Sequence, residues 1–181
     1  VVLDGYHFKD EYQKNLNDIG CKQVIIDDFI GTYNHANAII NHAPGITPND
    51  FKNTNLKFAL GLNFAIIRNS FFLPFAEQAI ENPIAFICIG GSDYFGYTQK
   101  ICETVISSNQ FKKIHVLCTN KFDSKLIDNL KELERSNNLT IHINLSAQEI
   151  SNLMDKCTHA FVSASTVLIE SYARKLKCYT G

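Results

Sequence analysis

The ten residues Ile84-Ala85-Phe86-Ile87-Cys88-Ile89-Gly90-Gly91-Ser92-Asp93, written "IAFICIGGSD", decide the fold. The first six are apolar without alternation, which reads as a strand buried on both faces, and such strands belong to parallel sheets covered on either side. The run then breaks on Gly90-Gly91, a pair that lets the backbone turn sharply and approach a ligand closely. A helix is expected from about Thr98 to Ser107, so the unit reads strand, glycine turn, helix.

The same rhythm repeats downstream. "KIHVLCT" is a strand, and "DSKLIDNLKELERS" is a helix opened by an Asp-Ser cap. "LTIHINL" is a strand, and "SAQEISNLMDKC" is a helix with a capping box from Ser146 to Glu149. "HAFVSA" is a strand, "STVLIESYARKL" a helix, and "KCYTG" the start of one more strand. Short crossovers between parallel strands call for right-handed connections, with helices on both faces of the sheet.

Upstream the pattern is less regular. "VVLDGYHF" is a strand running into a reactive-looking loop, and "FKDEYQKNLNDIG" carries Phe8, Tyr12, Leu16 and Ile19 at helical spacing. "KQVIIDDF" is a strand ending on Asp27 and Asp28, and a short strand is expected around Ala38–Ile40. The stretch Pro44–Thr54 reads as a long loop. The change of rhythm predicts two α/β units: residues 1–72, a linker over 73–83, and residues 84–181.

Composition narrows the class. With 45% hydrophobic and 19% charged residues the chain is ordinary for a globular protein. A net charge of −1 with scattered Lys and Arg leaves no footprint for nucleic acid. The apolar runs are far too short to span a bilayer. The six cysteines show no C-x-x-C pair and fall partly inside strand-like runs. They are expected to be reduced thiols in a reducing compartment, which places the protein in the cytoplasm.

Ligands of open α/β sheets bind beyond the carboxyl ends of the strands. There Gly90, Gly91, Ser92 and Asp93 form either an anion-accepting turn or a tight turn and nothing more; the pattern is neither a Walker A loop nor a dinucleotide fingerprint. Ser163, Ser165 and Thr166 precede the last helix, where free N–H groups and the helix dipole favour a diphosphate. Glu170 lies one turn further on, placed to accept hydrogen bonds from a ribose diol. Alternatively, Ser165 is only an N-cap and Glu170 a solvated helix residue. Asp27-Asp28 either binds a substrate hydroxyl or caps the turn that follows. His7, His35 and His42 match no familiar metal-ligand spacing, and no metal or other cofactor is expected.

Five of these segments, in register, resemble the UDP-2,4-diacetamido-2,4,6-trideoxy-β-L-altropyranose hydrolase family of pseudaminic acid biosynthesis. They are "VVLDGYHF", "VIIDDF", "FAIIRNSF", "ICIGGSD" and "VSASTVLIE". The resemblance implies a GT-B-like architecture shared with MurG-type glycosyltransferases: two Rossmann-like parallel sheets, both units incomplete here. It implies that about half of an N-terminal domain, with the catalytic His, precedes Val1, and that a closing Asn-Gln segment follows Gly181. Tyr6 then falls at the position of an active-site Tyr. The expected partner is a UDP-sugar, the expected reaction hydrolysis at its anomeric carbon, and the fragment by itself is expected to be inactive. A GT-B glycosyltransferase with a UDP-sugar donor, or a non-catalytic sugar-nucleotide-binding module, is the alternative.

Overall fold

In the computed structural model, which describes residues 1–53, 55–74, 81–93 and 95–180, the chain divides into two units, Val1–Ile66 and Ile67–Gly181.

The first unit carries β1 (Val2–Asp4), α1 (Asp10–Asp18), β2 (Val24–Ile26), β3 (Ala38–Asn41) and β4 (Lys57–Leu60). All four strands are parallel, in the order β1-β2-β3-β4. Leu3, Ile25 and Ile39 lie in the centre of successive strands and form the core with Phe51 and Leu56. The helix α1 departs from its expected apolar stripe. Phe8 and Leu16 pack on the core, but Tyr12 is exposed and Ile19 ends the helix in solvent. The buried position is Gln13, whose side-chain amide donates to the Phe8 carbonyl at 2.8 Å while its backbone carbonyl accepts from the Gln23 side-chain amide at 2.7 Å. β4 lies beyond the expected loop Pro44–Thr54, in a stretch where the sequence predicts no element. It is a four-residue edge strand with one exposed and three half-buried positions, too short for a periodic signal.

The second unit carries β5 (Ile84–Cys88), α2 (Tyr97–Ser107), β6 (Lys113–Cys118), α3 (Ser124–Ser136), β7 (Leu139–Ile143), α4 (Ala147–Met154), β8 (His159–Val162), α5 (Thr166–Ala173) and β9 (Lys177–Tyr179). The sheet is wholly parallel in the order β7-β6-β5-β8-β9. Alternation along β5 feeds two cores. Ala85 and Ile87 join residues of α2 and α3 on one face, and Phe86 and Cys88 join residues of α4 and α5 on the other. Burying a ring such as Phe86, fully enclosed here, stabilises by about 1.5–3 kcal/mol. The expected caps form: Asp123 accepts from the Lys125 N–H at 2.9 Å, and Ser146 and Glu149 make both bonds of a capping box. Among the described residues no helix is long and apolar enough to cross a membrane.

The boundary between units falls earlier than the expected 72/73. Residues 67–74 fold onto the second unit as a strap, with a 3-10 turn at Asn69–Phe71. Phe71 is 2% exposed in the α4–α5 core, beside Ile67. Ser151 donates to the Ser70 carbonyl at 2.9 Å, and Arg174 donates to the Leu73 carbonyl at 2.7 Å. Apolar Ile67 and Phe71 thus find partners on distant elements, Ile150 to Met154 of α4 among them, which no local pattern reveals. Of the expected linker, residues 75–80 lie outside the described residues.

Candidate functional site

β5 is the centre of the second sheet, and the chain winds from it to β6 on one side and returns to β8 on the other. That reversal opens a crevice at the carboxyl ends of β5 and β8, the position at which open α/β sheets take ligands. Both glycine- and serine-rich segments singled out in the sequence lie there. Val162 is paired with Cys88, and the Ser163 N–H donates to the Cys88 carbonyl at 3.3 Å. Gly90 has φ +101°, a conformation open to glycine, and a Cβ built there would stand 3.7 Å from the Ser163 hydroxyl. The two turns are therefore neighbours across the crevice. A third strand end joins them, because the Thr119 hydroxyl beyond β6 donates to the Gly91 carbonyl.

Gly91 and Ser92 are the open part of the first turn. Asp93 faces inward. At φ +35° and 9% exposed, it accepts from the N–H groups of Tyr97 and Thr98 at 2.9 and 2.8 Å and so caps α2. In the second turn, the Ser163 and Ser165 hydroxyls lie 3.0 Å apart and are exposed. Ser165 occupies the N-cap of α5 but its side chain makes no capping bond. Thr166 is the first residue of the helix, and together these groups present hydroxyls and backbone donors at the positive end of its dipole.

Glu170 is not a solvated helix residue. It is 1% exposed, and Arg68 of the strap donates to its two carboxylate oxygens through Nε and Nη2, both at 2.7 Å. The carboxylate raises the Arg68 pKa by this hydrogen bonding, against the opposing effect of burial. The Arg68 side chain remains 47% exposed and its guanidinium lies 5.0 Å from the Phe71 ring centre. Cys88, at the end of β5, has its thiol pushed up by burial, with the Glu170 charge adding to the shift while the Gly90 N–H and Arg68 oppose it. The ion pair thus borders the strand whose end forms the crevice. Arg68 lies in the segment "FAIIRNSF" and is not among the site residues expected from the sequence. An arginine set in an apolar run is the signal that it seeks a buried carboxylate.

In the first unit, Tyr6 and Asp28 emerge from the carboxyl ends of the paired strands β1 and β2. The exposed Tyr6 hydroxyl donates to Asp28 Oδ2 at 2.9 Å, and its ring lies 5.0 Å from Phe29. That hydrogen bond, and the Asp28 charge, raise the Tyr6 pKa, so the phenol keeps its proton. Asp27 resolves the other way from its neighbour. It is 3% exposed and accepts from Tyr33, from Asn41 at 2.9 Å and from the N–H groups of Phe29 and Ile30 at 3.2 and 3.0 Å. Burial raises its pKa, but these hydrogen bonds outweigh burial and lower it. Asp27 therefore fixes the turn and Asp28 faces outward. A cavity of about 410 Å³ lies beside them, lined by Tyr6, Lys9, Asp10, Asp28 and Tyr33 among others. The three histidines stay apart in role: His7 packs on Phe8, His35 meets Asp10 at 3.6 Å, and His42 has a buried Nδ1. Among the described residues no three His, Cys, Asp or Glu side chains gather to hold a metal.

Two parallel sheets, the second with a helix after each of its first four strands, define the class: an α/β protein of GT-B-like fold. The solved structure that carries this is Acinetobacter baumannii MurG, which matches 99% of this chain and 60% of its own with a TM-score of 0.51 and 10% identity. No family model matches the chain. An uncharacterized protein of Methanocaldococcus jannaschii is 25% identical over 158 residues, covering 80% of this chain and 32% of that protein. The chain spans about a third of the length of this relative.

Proposed function

We propose that the second unit binds the nucleoside diphosphate of a UDP-sugar, and that the protein to which the chain belongs transfers the sugar from UDP at its anomeric carbon. The observation that carries this reading is the meeting of the Gly90–Ser92 and Ser163–Thr166 turns at the strand-order reversal. Backbone donors, the Ser92, Ser163, Ser165 and Thr166 hydroxyls and the α5 dipole match the oxygens of a diphosphate. Glu170 supplies the acceptor for a ribose diol, and Asp93 holds the first turn in shape.

Water is the acceptor in the leading reading, which makes the protein a hydrolase of a UDP-activated diacetamido-trideoxy sugar in pseudaminic acid or surface polysaccharide biosynthesis, acting in the cytoplasm. Its support is the run of five segments from "VVLDGYHF" to "VSASTVLIE". In it Tyr6 orients a water or sugar hydroxyl rather than removing a proton, because its phenol is held protonated by Asp28. The second reading, a glycosyltransferase with a sugar acceptor, is favoured by the likeness to MurG in fold.

Calorimetric titration of this chain with UDP tests the common part. Micromolar to millimolar binding that is lost in Ser163→Ala/Ser165→Ala supports it, and no heat at millimolar UDP removes it. A UDP-release assay on the full protein then separates the readings. Release without acceptor marks the hydrolase, and dependence on an added acceptor marks the transferase.

A further inference from the structure

Glu170 and Arg68 pose a contradiction to a simple ribose site. The carboxylate proposed to receive the diol is 1% exposed, and its ion-pair partner, the Arg68 side chain, is half exposed. Both carboxylate oxygens already accept a 2.7 Å hydrogen bond from that group. A diol that takes both oxygens must displace Arg68.

We propose that the Arg68–Glu170 pair is an autoinhibitory latch: a ribose diol and the strap arginine compete for one carboxylate, and nucleotide binding releases residues 67–74 from this anchor. The proposal rests on the reading of Glu170 as the ribose acceptor. Three features of the strap fit a latch rather than a fixed wall. It enters the unit at Ile67 and is held by discrete contacts: the Phe71 ring in the core, the Ser70 carbonyl on Ser151 and the Leu73 carbonyl on Arg174. Only the Arg68 contact involves a group assigned to the ligand. Arg174 is tied independently by Asp155, at 2.7 Å from both Nε and Nη2, so the far end of the strap stays docked when Arg68 lets go. The moving part is Arg68 and the start of the 3-10 turn that follows it, while Ile67 and Ser70 keep their contacts.

The latch lowers apparent affinity by the fraction of molecules in which Glu170 is free. Weakening it must therefore tighten UDP binding. Arg68→Lys keeps the charge but not the planar two-bond grip. The expected result is about tenfold tighter UDP binding in calorimetry, the change for a latch that is open one time in ten. Binding of 2′,3′-dideoxy-UDP, which has no diol to compete, should not change between the two proteins. Unchanged or weaker UDP binding in Arg68→Lys overturns the latch, and in that case Arg68 is a fixed support or a direct ligand contact. A separate result overturns the reading beneath it: equal affinity of the unsubstituted chain for UDP and the dideoxy analogue, or no binding of either, takes Glu170 out of the ribose site and the latch with it. Hydrogen exchange of the unsubstituted chain needs no variant to fold. The Phe71 N–H, bonded to the Arg68 carbonyl at 3.0 Å, should exchange faster with saturating UDP. Equal or slower exchange counts against the latch.

Discussion

Arg68 and Glu170, 102 positions apart in sequence, are joined by two parallel 2.7 Å hydrogen bonds. The pair ties the first residues of the second unit to the helix that follows its serine-rich turn. Glu170→Gln keeps the shape and removes the charge. Because Arg68 is half exposed, it regains water and the loss stays modest, about 1–3 kcal/mol. Urea unfolding should show a lower midpoint with an unchanged slope. A midpoint equal to that of the unsubstituted chain would make the pair energetically idle.

Acid should weaken the second unit in a defined window. His115 Nδ1 and His142 Nε2, on the neighbouring strands β6 and β7, lie 3.0 Å apart, one ring donating to the other. Burial first, then the charges of His142, Lys113 and Lys156, lower the His115 pKa to about 4. Burial likewise lowers that of His142, opposed by Glu134 and aided by Lys113. In the unfolded chain both titrate near about 6.5. Between these values the unfolded state binds more protons, so stability rises with pH and falls as pH drops from about 6.5 toward 4. Unfolding midpoints measured across that range should decline, and less steeply in His115→Gln. Identical pH profiles for the two proteins would dismiss the pair as the cause.

The cysteines should separate by burial. Cys102, Cys118 and Cys157 are buried and their thiols are pushed up to about 12 by burial above all. Thiolate is the reacting form, so these three resist iodoacetamide at pH 8 in the folded chain. The half-buried Cys21 is expected to label first. In denaturant without reductant all six should react, and mass spectrometry after each treatment checks both statements.

Gly90 and Gly91 are neighbours with opposite demands. Gly90 sits at φ +101°, so Gly90→Ala costs about 1–3 kcal/mol from backbone strain alone, since its new methyl would meet only an ordinary contact at 3.7 Å. Gly91 has neither a left-handed φ nor an atom within 4 Å of a built Cβ. Gly91→Ala should therefore leave the melting temperature in place. Equal melting shifts for both would mean that the turn relaxes.

The second sheet was legible because its strands are buried on both faces and its helices begin on recognisable caps. "IAFIC" has a continuous apolar run, and Asp123 and Ser146 accept from the first-turn amides as their sequences promise. The glycine and serine turns are each visible singly in the sequence; their approach at Gly90 and Ser163 depends on β8 returning beside β5, a fact of topology. What stayed hidden is long-range or short-lived in pattern. β4 is an edge strand of four residues, and the strap finds its place through Phe71 and Arg68, whose partners lie in distant helices. Asp27 and Asp28 look identical in sequence, and only the arrival of Tyr33, Asn41 and Tyr6 makes one a turn anchor and the other a surface acceptor.

The central place of β5 also sets an order of assembly. β6 is brought to β5 by a single helical crossover, whereas the β5–β8 pairing closes a loop of 74 positions between Ile84 and Thr158. Loop-closure entropy and contact order make the distant pairing the later event. The glycine turn after β5 is then in place while its serine-rich neighbour is still absent, so the meeting of the two turns is the last feature of this unit to mature. Substitutions in α2 and β6 should slow folding, and those in β8 and α5 should chiefly speed unfolding.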